Sequence, residues 1–203
     1  MTTKPPHLIV VGGPNGSGKT TITRELQQIH GLPYFGADDI AEELAPGDWE
    51  RVRVRVPAGR LWGQRVRACI GQGGSLLVES TLSGRTLLGL IEQARGAGYQ
   101  VSVVLVFLES AEHCVARVQE RIAKGGHPVP EADIRRRYRR SLANFWNLYR
   151  PRVDRWQLFC NSGDVPLEVA MGMVGVTEVF DETLFTLFQR LIGGADEHGS
   201  ADP

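Results

Sequence analysis

A glycine-rich segment near the start of the chain has the residue types and the spacing that bind phosphate. Gly13-Pro14-Asn15-Gly16-Ser17-Gly18-Lys19-Thr20 matches the pattern GxxxxGK[ST] at every fixed position. The glycines let backbone N–H groups turn inward as an anion nest at the positive end of a helix. In this pattern the lysine reaches the β- and γ-phosphates, and the Ser/Thr hydroxyl ligates Mg²⁺. The segment therefore predicts a P-loop that binds ATP or GTP with Mg²⁺.

The residues on either side supply the context that this motif requires. Leu8–Val11 is a short aliphatic run, which is typical of a buried parallel strand. Lys19–Ile29 carries apolar residues at helical spacing, so a helix should follow the loop directly. We therefore assign one set of residues to the nucleotide, with Thr20 also the metal ligand. They are Gly13, Asn15, Gly16, Ser17, Gly18, Lys19, Thr20 and Thr21.

Acidic residues follow two of the predicted strands. Asp38 and Asp39 come just after Tyr34-Phe35, and Glu79 ends the apolar run Ser75–Glu79. In parallel sheets, ligands bind outside the carboxyl ends of the strands. One acid could accept the proton of a substrate hydroxyl, and another could act on Mg²⁺ through water or hold the acceptor. One aspartate could instead only cap the next helix.

A basic segment lies in the second half of the chain. Val115–Arg155 holds eleven Lys/Arg against four Asp/Glu, a formal charge of +7, although the whole chain is neutral. Arginines neutralise charge during phosphoryl transfer, so we predict a closing lid at about residues 121–137. Arg117 and Arg121 share one helical face. The alternatives are a solvated helix face or a nucleic-acid patch, since aromatic residues are interleaved here; their helical spacing favours the core.

The order of elements predicts the fold class. Aliphatic runs alternate with helical patterns, which indicates an α/β fold of three layers, like that of P-loop kinases, with about five mostly parallel strands. We expect one domain over residues 1–192 and a disordered tail over 193–203. Trp49–Ile70 reads as a helix that Pro57 breaks or kinks. The segment Val165–Thr177 has no clear period and is left without an assignment.

Composition narrows the functional classes. Zero net charge argues against a whole-molecule attraction to nucleic acid or anionic membranes. No apolar run approaches the ~20 residues of a membrane span. The three cysteines are widely spaced, as in reduced thiols of a cytoplasmic protein. The guanine-reading string NKxD is absent, which leaves a small kinase, a nucleotide-dependent switch, or an RNA-binding ATPase with slow hydrolysis.

With these residues assembled, the sequence resembles the zeta-toxin-like kinase family. The resemblance runs in order over about residues 7–163 and is most specific where a GGHPVP lid precedes IRRRYRRSL. The matching pieces are GGPNGSGKTT (12–21), GADDIA (36–41), LLVESTLSG (76–84), AGYQVSVVLVFL (97–108), RVQERIAKGGHPVPEADIRRRYRRSLANF (117–145) and NSG (161–163).

The resemblance implies a P-loop kinase fold and ATP-dependent phosphorylation of a sugar hydroxyl, as on UDP-N-acetylglucosamine. By position, the family's catalytic base falls on Asp38, and Gly36 stands where the family has a first acid. The substrate-holding glutamate falls on Glu79, followed by Thr81. Asp38 is thus the second acid of that stretch, and the strand-end argument leaves Asp39 as an acid that could hold the acceptor.

The same alignment implies roles for basic residues and partners. Phosphate-clamping lid arginines fall near Arg121 and within Arg135–Arg137, so Arg121 is assigned to catalysis and Arg136 to the acceptor. Arg117 is assigned to the nucleotide. The implied partners are a nucleotide, a small-molecule acceptor and an antitoxin protein, without membrane or nucleic acid.

Overall fold

The computed structural model describes residues 4–45, 52–126, 128–173 and 175–193, without the side chains of 52–56. Its strands form one sheet in the order β2-β3-β1-β4-β5-β6-β7. The first five in that order are parallel, and β6 and β7 are antiparallel to their neighbours. The strands are β1 His7–Gly12, β2 Tyr34–Gly36, β3 Leu76–Ser80, β4 Gln100–Phe107, β5 Arg155–Cys160, β6 Leu167–Met173 and β7 Val176–Val179.

Helices connect the parallel strands, as parallel pairing requires. One π-helical segment and one 3₁₀ turn follow α6 before the chain enters β5. The helical elements are α1 Lys19–His30, α2 Ala37–Leu44, α3 Val52–Gly71, α4 Thr86–Gly96, α5 Ala111–Ala123, α6 Glu131–Asn144, the π segment Phe145–Tyr149, the 3₁₀ turn Arg150–Arg152 and α7 Glu182–Gly193.

The central strand β1 is buried on both of its faces. Leu8 and Val10 belong to the larger core, which takes side chains from α2 to α7. Ile9 and Val11 belong to a smaller core on the opposite face, which Ile22 of α1 covers. Helices therefore pack on both faces of the sheet, and the predicted three-layer α/β fold is confirmed. A strand buried on both sides has no alternating pattern, which is why Leu8–Val11 is continuously apolar.

The strand count differs from the prediction of about five. Seven strands are present in the described residues, because β6 and β7 form an antiparallel extension after β5. β6 lies within the segment 165–177 that had no clear period, and β7 begins there and ends two residues beyond it. In β6 the buried positions include the small residues Ala170 and Gly172, and β7 is mostly exposed, so neither strand displays an apolar alternation.

Of the prediction that Pro57 breaks or kinks a helix, the break is wrong, because α3 runs as one element with Pro57 inside it. Pro57 lies in the second turn, where its missing N–H removes one early hydrogen bond and leaves the rest of the ladder. The predicted start at Trp49 lies outside the described residues. So do residues 194–203 of the predicted tail, whereas Gly193 ends α7.

The aromatic residues of the basic segment form core, as their spacing predicted. Tyr138, Phe145 and Tyr149 are almost fully buried. Trp146 packs edge-on against Trp156 and two phenylalanines. These rings are therefore not displayed as stacking platforms for bases. Within the described part of the chain, no helix is long and apolar enough to cross a bilayer.

Candidate active site

The loop between β1 and α1 takes the tight conformation that its glycines allow. Gly13, Gly16 and Gly18 all have positive φ, at 145°, 82° and 91°. A Cβ on Gly13 would lie 2.1 Å from the carbonyl oxygen of Val106, so no other residue fits there. The loop leads into the first turn of α1, whose N–H groups are without intrahelical partners. The segment is thus shaped to receive an anion.

Lys19 is buried at the base of this loop, 8% exposed. Its Nζ donates to the carbonyl oxygen of Pro14 at 2.9 Å. Burial lowers the pKa of Lys19, and the carboxylates of Glu79 and Asp38 act in the opposite direction. Lys19 is therefore held at the base of the loop in a desolvated position, where a charge acts on a bound phosphate more strongly than it would in water.

The far side of the loop is fastened by β5. Asn161 follows β5 and donates from Nδ2 to the carbonyl oxygen of Ser17 at 2.8 Å. A Cβ on Gly18 would lie 2.2 Å from that Nδ2 and 3.9 Å from Nη1 of Arg117. Arg117 is thus beside the loop, as expected of a nucleotide contact. Ser17 Oγ is buried and has no hydrogen-bond partner among the described residues.

Glu79, at the end of β3, gathers hydroxyl groups around its carboxylate. The Thr20 hydroxyl lies 3.4 and 3.3 Å from its two oxygens. Thr23 and Tyr34 donate to Oε2 at 3.4 and 3.3 Å. β3 neighbours β1 in the sheet, and Val11 pairs with Glu79. The predicted acid is therefore brought directly to the predicted metal ligand Thr20.

Asp38 and Asp39 lie in the first turn of α2, and both are exposed. Asp39 contacts Tyr34: a Cβ on Gly36 would lie 2.1 Å from Asp39 Oδ2 and 2.2 Å from Tyr34 OH. Burial, reinforced by Glu79 and Asp39, raises the pKa of Tyr34. Asp38 instead acts on the charge of Lys19. The two aspartates thus have different neighbours: one is tied to a tyrosine and the other faces the phosphate loop.

The three consecutive arginines of α6 go to different places. Arg137 donates from Nη1 to Asn15 Oδ1 of the loop at 3.2 Å. Arg136 pairs with Asp133 at 2.8 Å, and Arg135 pairs with Glu131 and Glu112 on the surface. The structure therefore brings Arg137 to the loop and leaves Arg136 away from it.

Other predicted residues lie at the edges of the site. Arg121 is exposed at the end of α5, and its charge lowers the pKa of Lys19. Thr21 is exposed in the first turn of α1. The predicted lid segment 121–137 consists of the end of α5, the start of α6 and the connection between them, in which residue 127 lies outside the described residues.

The loop after β3 has an unusual conformation. Leu82 has φ 55°, and it is the only residue other than glycine with positive φ in the described part of the chain. Such a conformation costs about 1–3 kcal/mol and persists where surrounding contacts fix it. The Thr81 and Ser83 hydroxyls are 2.8 Å apart. Thr81 thus lies in a constrained loop two residues beyond Glu79.

Sequence reasoning missed three contributors: Tyr34, Asn161 and, as an individual residue, Arg137. The rule on carboxyl ends of strands could have found Asn161, because it follows β5 directly. Tyr34 had no such signal. Its hydroxyl reaches Glu79 because β2 pairs with β3, a long-range pairing that a linear motif does not encode.

A family model described as an AAA domain, AAA_33, matches residues 8–143, more than half of the chain. The chain belongs to the AAA_33 family. The matched range of this AAA_33 domain includes the P-loop, all three acids and nearly all of α6. An uncharacterised protein of Haemophilus influenzae is 30% identical over 127 residues, which are 62% of this chain and 88% of that protein.

Solved structures share the fold of this AAA_33 domain. An AvrRxo1-ORF1:ORF2 complex with ATP superposes with a TM-score of 0.74 at 18% identity, over 98% of this chain. The chain covers 66% of that protein's length, just under two thirds. The PezAT toxin–antitoxin system of Streptococcus pneumoniae gives 0.60 at 18% identity, over 97% of this chain and 87% of that one. A kinase described as putative from Chloroflexus aurantiacus gives 0.57 at 25% identity, over 68% and 80%.

Proposed function

We propose that this AAA_33 protein is an ATP-dependent small-molecule kinase that transfers the γ-phosphoryl group to a hydroxyl, with a UDP-sugar such as UDP-N-acetylglucosamine as the first acceptor to test. One observation carries the proposal: the carboxylate of Glu79, at the end of β3, lies against the Thr20 hydroxyl beside the phosphate loop, and Asp38 lies in the first turn of α2, directly after the neighbouring strand β2. A nucleotide-binding loop alone fits many activities. An acid beside the γ-phosphate position, ready to accept a proton, fits transfer to a hydroxyl.

On the nucleotide side, the loop amides and Lys19 hold the phosphates. Thr20 and Glu79 offer only oxygen atoms, which Mg²⁺ prefers as ligands. No group of three or more His, Cys, Asp or Glu in the described residues could hold a metal. That agrees with Mg²⁺ in kinases, which is held by few protein ligands together with phosphates and water. When bound there, Mg²⁺ would neutralise phosphate charge.

On the acceptor side, Asp38 accepts the hydroxyl proton. Its place in the first turn of α2 after β2, and the engagement of the Asp39 carboxylate with Tyr34, support this role for Asp38 over Asp39. Asp39, Glu79 and Thr81 orient the acceptor. Arg117, Arg121 and Arg137 stabilise the transferred charge; Arg137 contacts the loop, whereas Arg136, which the resemblance assigned to the acceptor, pairs with Asp133.

The choice of acceptor follows from the resemblance. Within the +7 segment, Arg117 and Arg137 lie beside the loop, whereas Arg135 and Arg136 pair with acids and Arg150 stacks on Trp146, so the summed charge is not gathered at the site. The likeness to the AvrRxo1-ORF1:ORF2 and PezAT complexes supports a zeta-toxin-like kinase held by an antitoxin protein. The UDP-sugar acceptor and the antitoxin partner are both parts of the proposal.

The test is a panel assay. The protein is incubated with Mg·ATP and with UDP-sugars, nucleosides or simple sugars, and the products are weighed by mass spectrometry. We expect one phosphate added to a UDP-sugar, with matching ADP release, and no product from Lys19→Ala. A phosphorylated nucleoside without any phosphorylated UDP-sugar would support the kinase activity but show that the acceptor is a nucleoside. ADP release that no acceptor increases would overturn the kinase in favour of slow hydrolysis.

A further inference from the structure

One side of α6 and of the segment after it carries polar side chains that meet the loop after β3. Asn144 donates from Nδ2 to the Leu82 carbonyl at 2.8 Å, and the Tyr149 hydroxyl donates to the Gly84 carbonyl at 2.6 Å. The Ser141 hydroxyl contacts the Thr81 carbonyl. Three of the four carbonyls between residues 81 and 84 therefore accept hydrogen bonds from a single helical segment.

The spacing of these donors depends on the π-helical segment Phe145–Tyr149. In a regular α-helix, residues i, i+3 and i+7 share one face, which from Ser141 would give 144 and 148. A π segment adds one residue to the turn, so position 149 takes that place instead. The irregularity brings the Tyr149 hydroxyl onto the same face as Asn144. Without it, Leu148 would face the loop and could donate nothing.

The loop that receives these bonds is strained and packed against the start of the phosphate loop. Leu82 holds its left-handed conformation while its N–H donates to Ser80 Oγ at 3.1 Å. A Cβ on Gly12 would lie 2.2 Å from Leu82 Cδ1, so the leucine side chain lies directly on the end of β1. A strained residue remains in place only where its neighbours fix it, and the α6 donors supply that fixation.

The Tyr149 hydroxyl is committed to this contact, because Tyr149 is 1% exposed and a buried hydroxyl without a partner would be costly. The Ser141 hydroxyl can also donate to the Arg137 carbonyl of its own helix at 2.6 Å. The same helix reaches the nucleotide loop, because Arg137 contacts Asn15 one turn before Ser141. One rigid segment therefore touches both the P-loop and the loop that carries Thr81.

We propose that Asn144 and Tyr149 are positioning residues, which hold loop 81–84 in the conformation that presents Thr81 to the acceptor. Both donate to carbonyls of the loop itself. Their effect on transfer rests on the proposed function, whereas their effect on the loop does not. Losing either donor frees the loop, weakens use of the acceptor and leaves the nucleotide side unchanged.

Tyr149→Phe and Asn144→Asp test this directly. The first removes only a hydroxyl, and the second replaces the donor by a group that repels the Leu82 carbonyl. Tyr99→Phe is the matched control, because the buried Tyr99 hydroxyl also donates to backbone carbonyls, those of Ile70 and Gly74 at 3.1 and 2.9 Å. It removes the same group and the same kind of bond from the connection between α3 and β3.

Hydrogen–deuterium exchange of residues 82–85 measures how readily the backbone of the loop opens. Loss of one buried hydrogen bond should speed local exchange about tenfold in Tyr149→Phe and Asn144→Asp. In Tyr99→Phe the loop should exchange as in the wild type, although melting temperature falls comparably. Unchanged loop exchange in both test variants, or equal acceleration in the control, overturns the proposal. Asn144 is only half-buried, so Asn144→Asp keeps the test decisive if Tyr149→Phe fails to fold.

Kinetics with UDP-N-acetylglucosamine and Mg·ATP separate positioning from general damage. The test variants should raise KM for the sugar nucleotide about tenfold, with KM for Mg·ATP unchanged. A parallel rise of both constants, or the same rise in Tyr99→Phe, would assign the residues to stability alone. Should the wild type give no acceptor-dependent ADP release, the proposed acceptor fails, and exchange of the loop still decides this inference.

Discussion

The nucleotide side and the acceptor side of the site are built in different ways. On the nucleotide side, Gly13–Lys19 are consecutive, and Asn15, Ser17 and Lys19 are nearly or fully buried. On the acceptor side, Asp38 and Glu79 come from separate segments, and Asp38 is exposed. A phosphate cradle can be made by one local turn and a helix end. An acceptor site must be assembled by long-range packing, so its geometry depends on contacts that no short motif contains.

The largest expected effect tests the nucleotide side. Lys19→Ala should abolish measurable Mg·ATP binding in calorimetry, because a desolvated cation that faces the phosphates has no substitute in the loop. The circular dichroism spectrum should remain that of the wild type. Lys4→Ala, which removes an exposed lysine, is the control and should bind as the wild type does. Unchanged affinity in folded Lys19→Ala would refute the assignment of the P-loop.

On the proposed acceptor side, the largest loss of turnover is expected from a substitution of Asp38. Asp38→Asn keeps the shape but cannot accept a proton, so turnover should fall by ~10²–10⁴-fold. Affinity for Mg·ATP, measured by calorimetry, should hardly change. Asp39→Asn should instead act mainly on acceptor binding, through its contact with Tyr34. The opposite result, with the large loss at Asp39, would move the catalytic base by one residue.

Glu79 lies between the two sides, and its effect should be intermediate. Glu79→Gln keeps the size of the side chain but removes the charge that the hydroxyls of Thr20, Thr23 and Tyr34 surround. We expect a loss of about 10–100-fold in apparent Mg²⁺ affinity, since groups that orient a metal ligand act on that scale. Titration of turnover with Mg²⁺ measures it. A change in acceptor KM alone would return Glu79 to the role of an acceptor ligand.

A substitution of Arg137 tests which arginine of the predicted lid stabilises the transferred charge. Arg137→Ala should lower turnover by about tenfold and weaken ATP binding less, because the charge it stabilises develops during transfer. Arg140→Ala removes an exposed arginine of the same helix and should have no effect. If the loss instead occurs in Arg136→Ala, α6 must turn or shift when the lid closes.

The nucleotide side was easier to predict from the sequence than the acceptor side. Lys19 and Thr20 were found from the sequence because motif, strand and helix are adjacent, and the short strands between glycines gave the α/β fold. The positions of Asp38 and Glu79 followed from a general rule about strand ends. Arg137 could not be separated from Arg136, because the choice depends on how α6 is rotated against the sheet. β6 and β7 were not predicted, because the small buried residues of β6 and the exposed residues of β7 give no alternating apolar pattern.

The smallest expected effect concerns Cys114, beneath the phosphate loop. Its carbonyl oxygen would lie 2.5 Å from a Cβ on Gly16, and burial raises the pKa of its thiol to about 12. Thiolate is the reactive form, so Cys114 should remain protonated and unlabelled by a thiol reagent at pH 8. The half-buried Cys69 is the internal comparison and should label first. Mass spectrometry of the digested protein reads both sites, with and without Mg·ATP. Rapid labelling of Cys114 that nucleotide suppresses would mean that the floor of the loop opens in the free protein, so the nucleotide side would not be the preformed local turn on which the comparison with the acceptor side rests.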